Sequence, residues 1–114
     1  MNETRRPMTW VRRSLFAVAV GALLAGAPAV AATPQTIRIK DFKYGPAVLT
    51  VPVGTTVTWV NHDEEPHTVT SATGAFASSG LVNEDSFAQT FGKPGTYQYF
   101  CALHPHMKAT VVVR

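Results

Sequence analysis

Three side chains that bind soft metal ions recur at intervals of three near the end of this 114-residue chain: the Cys101 thiol, the His104 imidazole and the Met107 thioether. They lie in Cys101-Ala102-Leu103-His104-Pro105-His106-Met107, after the aromatic run Tyr97-Gln98-Tyr99-Phe100 and before the β-branched run Thr110-Val111-Val112-Val113. One short connection between two expected strands therefore presents all three donors. A thiolate and two imidazoles in a trigonal set, with a long axial thioether, form the arrangement that holds copper for one-electron transfer. The loop offers one imidazole to such a set, so a second has to come from elsewhere. His67, in Asn61-His62-Asp63-Glu64-Glu65-Pro66-His67-Thr68, fits best.

Each residue also has a plainer reading. A free Cys often serves as a small buried apolar residue, and Met as a filler of core gaps. The neighbours decide: His104 and Met107 can both fold back over one ion from a tight loop, and a Met in a loop rich in Pro and His has less core to fill. Of the two His flanking Pro105, His104 is chosen, because the equal spacing suits one compact turn. His106 then points into solvent. His62 adjoins the acidic run Asp63, Glu64 and Glu65 and reads as an exposed loop residue. His67 follows Pro66 and opens the apolar alternation at Val69, so it can face inward.

The elements that must position these groups are strands. Residues 36–40 alternate apolar and polar, the sign of a half-buried strand. Residues 41–46 read as a turn with two aromatic anchors, Phe42 and Tyr44. Further strands are expected at 47–51, 55–60, 67–71, 86–91, 96–101 and 107–114, separated by turns such as Pro52-Val53-Gly54 and Gly92-Lys93-Pro94-Gly95. That makes about seven short strands and no helical pattern of useful length after residue 32. The spacing indicates an all-β antiparallel sandwich or barrel.

The first 32 residues stand apart. Arg5, Arg6, Arg12 and Arg13 form a basic head, residues 15–27 are an unbroken apolar or Gly run, and small residues follow at 28–32. This is the three-part pattern of a secretory signal peptide, and the run is short for a membrane anchor. Cleavage after Ala32 fits best, with Ala29 and Ala31 as alternatives. Arg12-Arg13-Ser14-Leu15-Phe16 also resembles a twin-arginine export signal, although Val11 stands where that signal usually has a polar residue. The expected location is the periplasm, with residues 33–114 as the working domain.

Without the signal the charge argument changes. The whole chain carries a formal +3, but in residues 33–114 the cations Arg38, Lys40, Lys43, Lys93, Lys108 and Arg114 are matched in number by Asp41, Asp63, Glu64, Glu65, Glu84 and Asp85. The basic balance belongs to the targeting segment and gives no reason to expect nucleic acid. A domain this small buries a modest core and often needs a staple. Cys101 is the single Cys, so no disulfide forms within the chain. A metal is the remaining staple.

Trp59-Val60-Asn61, Pro66-His67, Gly95-Thr96-Tyr97-Gln98-Tyr99-Phe100-Cys101 and Cys101-x-x-His104-Pro105-x-Met107 together resemble the cupredoxins over residues 35–114. The short loop resembles that of the amicyanins in particular, and more loosely the plastocyanins and pseudoazurins. The resemblance implies a Greek-key sandwich and one type 1 copper, Cu(I)/Cu(II), bound by His67, Cys101, His104 and, axially, Met107. It also implies that Asn61 ties the two ligand loops together beside the Cys sulfur. His106 departs from the pattern, standing where amicyanins have an aromatic residue. The expected function is a soluble, monomeric one-electron carrier between redox proteins. The alternative is an envelope copper-handling protein with no redox partner, in which His62, His106 and residues 63–65 add a weak second copper site. An enzyme built on a Cys–His pair is disfavoured, because no oxyanion-hole motif accompanies it and four protein ligands leave no position for substrate. Zinc is disfavoured because Met is a poor ligand for it.

Overall fold

The strand Thr55–Asn61 shows most plainly how the sequence makes the fold: every second residue, Thr55, Val57, Trp59 and Asn61, is buried, and those between are half-exposed. A period of two places one face of a strand in the core and the other outside. The computed structural model describes residues 32–114. The segment read as a signal peptide, 1–32, lies outside them apart from Ala32.

In chain order the strands are β1 (Gln35–Lys40), β2 (Lys43–Gly45), β3 (Val48–Val51), β4 (Thr55–Asn61), β5 (Thr70–Ser71), β6 (Ser86–Phe91), β7 (Gly95–Phe100) and β8 (Lys108–Val113). They form two four-stranded sheets, ordered β2-β1-β4-β6 and β3-β8-β7-β5. The sheets face each other as a Greek-key sandwich. Ile37 and Ile39 of β1, Val57 and Trp59 of β4, Tyr99 of β7 and Val111 of β8 are almost fully enclosed between them. Each such side chain contributes about 1.5–3 kcal/mol by leaving water. Trp59 is the hub, with Phe76, Phe87, Phe91 and Tyr99 around its indole.

Three expectations need correction. The first is the turn read at 41–46: residues 43–45 pair with β1 as a hairpin, so the described residues hold eight strands, close to the number expected. Lys40 faces Lys43 across the hairpin, leaving Asp41 and Phe42 as a two-residue loop with φ of 53° and 58°. A loop with both central residues at positive φ matches the twist of a hairpin, but it normally carries Asn or Gly. The second is direction: β1 pairs parallel with β4, and β3 parallel with β8. The chain places β3 in the other sheet before it returns, so β4 enters beside β1 running the same way. The third is the strand expected at 67–71, which shrinks to Thr70–Ser71, with His67 held by a single bridge to Leu81. The N–H of Thr68 points to the Cys101 sulfur and not to a neighbouring strand.

Candidate metal centre

The donor loop leaves β7 at Cys101, whose side chain is fully buried, and enters β8 after Met107. Its own backbone coils it. The His104 N–H donates to the Cys101 carbonyl (3.2 Å), the Met107 N–H to the His104 carbonyl (2.9 Å), and the Cys101 N–H to the Met107 carbonyl (3.1 Å). These bonds link residues 101, 104 and 107 in a closed circuit, which is how a spacing of three brings the donors to one place. His104 is half-buried, with Nδ1 3.7 Å from the Cys101 Sγ. Met107 is buried at the loop's end.

His67 arrives from the other side. Its N–H donates to the Leu81 carbonyl (3.0 Å) and its carbonyl accepts from the Leu81 N–H (2.7 Å), so the backbone is clamped. The imidazole is fully buried. Its Nδ1 lies 3.8 Å from the Cys101 Sγ and its Nε2 2.9 Å from Asp63 Oδ2. Burial alone would raise the Asp63 carboxyl. The N–H groups of Phe42 and Asp41 and the His67 imidazole outweigh it and hold that carboxyl below the usual range. An ionised carboxylate only accepts, so Nε2 carries the proton; in the neutral imidazole Nδ1 then turns its lone pair toward the sulfur. Such a carboxylate–imidazole pair fixes tautomer and ring orientation in metal-binding His.

Thr68 joins the two donor segments. Its N–H donates to the Cys101 Sγ (3.3 Å), and its hydroxyl accepts from the Ala102 N–H (2.7 Å). Its carbonyl accepts from the Tyr44 hydroxyl. Burial, with Cys101 and Tyr99 close by, pushes the Tyr44 phenol above its ordinary value and keeps it a donor. The tie expected of Asn61 is thus made by Thr68. The Asn61 side chain serves its own side of the site, donating to the Glu65 and Leu81 carbonyls and accepting from the Asp63 N–H. Four residues before His67, Asp63 belongs to a buried network and not to an exposed acidic run.

The four predicted donors therefore divide as follows. The donor atoms of His67, Cys101 and His104 lie within 4.8 Å of one another, the one such His, Cys, Asp or Glu cluster among the described residues. Met107 closes the same loop. His106 is exposed, its ring 6.4 Å from that of His104, and His62 pairs instead with Glu84 Oε1 at 3.1 Å. No second cluster forms from His62, His106 and residues 63–65. Sequence reasoning missed Asp63, Thr68 and Phe42. The ring of Phe42 stands edge-on to both His67 and His104. None of the three carried a local signal: Asp63 sits in an acidic run within an irregular loop, and the contacts of Thr68 and Phe42 are with distant segments. A soft thiolate, two imidazoles and a thioether suit copper and disfavour harder ions.

The family model of the cupredoxin-like domain matches residues 13–113. An amicyanin from Paracoccus denitrificans is 38% identical over 82 residues, which are 68% of this chain; the chain spans 63% of that relative's length. Among solved structures, a purple cupredoxin from Nitrosopumilus maritimus superposes with a TM-score of 0.66 at 35% identity, over 70% of this chain and 99% of that one. A copper-containing nitrite reductase from Thermus scotoductus does so with a TM-score of 0.68 at 32% identity, over 78% of this chain but 24% of that one. Sandwich, donor loop and likenesses agree: the chain belongs to the cupredoxin family and binds one type 1 copper ion.

Proposed function

We propose that the protein is a soluble periplasmic one-electron carrier whose copper is held by His67, Cys101 and His104, with Met107 as axial ligand. The observation that carries this reading is the assembled donor set: both imidazole Nδ1 atoms lie 3.7–3.8 Å from one buried thiol sulfur. Bound copper supplies the one-electron couple there. The thiolate and thioether favour Cu(I), while imidazole accommodates both states. Around them, the Leu81 clamp, the Thr68 tie and the sandwich restrain the ligands, so a change of charge needs little rearrangement. Four protein ligands leave no position for a substrate, which supports a carrier over an enzyme.

The surface near His104 fits brief docking. Leu103 is 53% exposed and Phe42 41%, with Pro66, Pro105 and His106 exposed beside them. Transient redox interfaces are small. Export through the segment 1–32, by either the general or the twin-arginine route, would place the domain among periplasmic redox proteins as a monomer. The copper-handling alternative loses its main support, since His62 and His106 do not meet.

The test begins with the visible spectrum of the purified protein after addition of Cu(II). An intense visible band is expected from the Cys101 thiolate on Cu(II), lost in Cys101→Ser. A band that survives the substitution rules out this ligand set. Stopped-flow mixing with periplasmic redox proteins then separates carrier from store: a store exchanges electrons with none of them.

A further inference from the structure

Phe42 is an unusual residue for its place. It occupies the second position of the β1–β2 hairpin loop with φ of 58°, after Asp41 at 53°. Bulky residues rarely adopt positive φ, and such strain persists only where the surroundings impose it. What imposes it is Asp63. Oδ1 accepts the Asp41 N–H at 2.8 Å and Oδ2 the Phe42 N–H at 2.9 Å. The same Oδ2 accepts the His67 Nε2–H at 2.9 Å. Asp63 is itself anchored, through its N–H to Asn61 Oδ1 (2.9 Å) and its carbonyl to Asn83 Nδ2 (3.0 Å).

The strained turn carries the Phe42 ring to the donors. The ring centroid lies 5.0 Å from His67 at an interplanar angle of 84° and 5.0 Å from His104 at 81°. The two imidazoles are 5.1 Å apart at 62°, so three rings form a near-equilateral group. Edge-to-face contact at these distances is attractive and directional. His67 and His104 come from separate segments, and among the described residues Phe42 is the one other aromatic ring in contact with both.

We propose that Phe42 is a positioning residue for the copper centre, and that the Asp63 carboxylate sets the Phe42 turn and the His67 ring as a single unit. Phe42 holds the mutual angle of the two imidazoles and covers them on the side toward solvent. The His104 ring then keeps its place whether or not the ion is bound. This rests on the ligand set proposed above.

Ring signals in the metal-free protein test the inference apart from that ligand set. In Phe42→Ala, nitrogen NMR of the His side chains should show the His104 ring sampling a second orientation. Copper affinity should fall about 10-fold or more, the scale for groups that orient metal ligands, and the reduction potential should move. Phe42→Tyr should restore all three; Phe42→Leu, apolar but without a ring edge, should not. In Asp63→Asn the Phe42 amide and the His67 ring signals should shift together. The proposal is overturned by unchanged metal-free His104 signals in Phe42→Ala, by Leu rescuing as well as Tyr, or by Asp63→Asn moving His67 alone. If Phe42→Ala does not fold, the Leu and Tyr variants alone decide. A visible band persisting in Cys101→Ser would count against the ligand set instead.

Discussion

Thr68 shows how much of a metal centre rests on a residue that binds no metal. Its side chain is almost buried, and it meets the Cys101 segment with both its N–H and its hydroxyl. Thr68→Val keeps the shape and the N–H but removes the acceptor of the Ala102 N–H. Leaving such a donor unpaired costs about 1–3 kcal/mol. The thermal midpoint of the metal-free protein should fall by at least about 4 °C, the shift that about 1 kcal/mol produces in a small domain. Because the bond from the Thr68 N–H to sulfur is kept, the visible band should stay near its wild-type position. An unchanged midpoint by circular dichroism would show that water replaces the hydroxyl at no loss.

At the scale of elements, the alternation of β4 makes a sharp contrast available within one strand. Val57 is fully buried; Thr58, next to it, is half-exposed and lies opposite Ala88 of β6. Val57→Thr places a hydroxyl in an apolar core and should cost about 1–3 kcal/mol. Thr58→Val changes nearly the same atoms on the outer face and should stay within about 0.5 kcal/mol of zero. Urea midpoints of the two variants measure the difference; equal midpoints would mean that the two faces of β4 are not distinguished as the sandwich requires. The β1–β2 hairpin obeys a different rule. No Asn-Gly or Asp-Gly marks its loop, so a local reading sees a turn and no strand. Its backbone is set by a carboxylate more than twenty residues away.

For the molecule as a whole, the proposed ligand set makes the ion a cross-link. It would join His67 to a loop 34 residues further on, through segments otherwise held together by Thr68 and by the short β5–β7 pairing. An ion that binds only the folded chain adds about 2.7 kcal/mol at a hundredfold excess over its dissociation constant. For a domain of this size that is a rise of about 10 °C or more in the thermal midpoint. Scanning calorimetry of the protein with and without copper checks it. Coincident midpoints would place the metal at the periphery and not between the two segments. The gain should vanish in Cys101→Ser if the thiolate is the principal ligand.

By itself the sequence determined what is local. Donor types and their spacing marked Cys101, His104 and Met107, because a closed loop brings residues three apart together without help from the rest of the chain. Period-two alternation marked most of the strands and, in β4, the side that faces inward, because that side follows from the pleat alone. The tertiary structure decided what depends on distant segments meeting. It paired β1 with β4 and β3 with β8 in parallel, because sheet membership depends on where the chain crosses. It buried Asp63 and set it on His67, which neither the acidic run around it nor its composition could show. It gave Thr68 the tie between the donor segments and brought Phe42 against both imidazoles, because the contacts that hold these residues lie some twenty to thirty-five positions away along the chain.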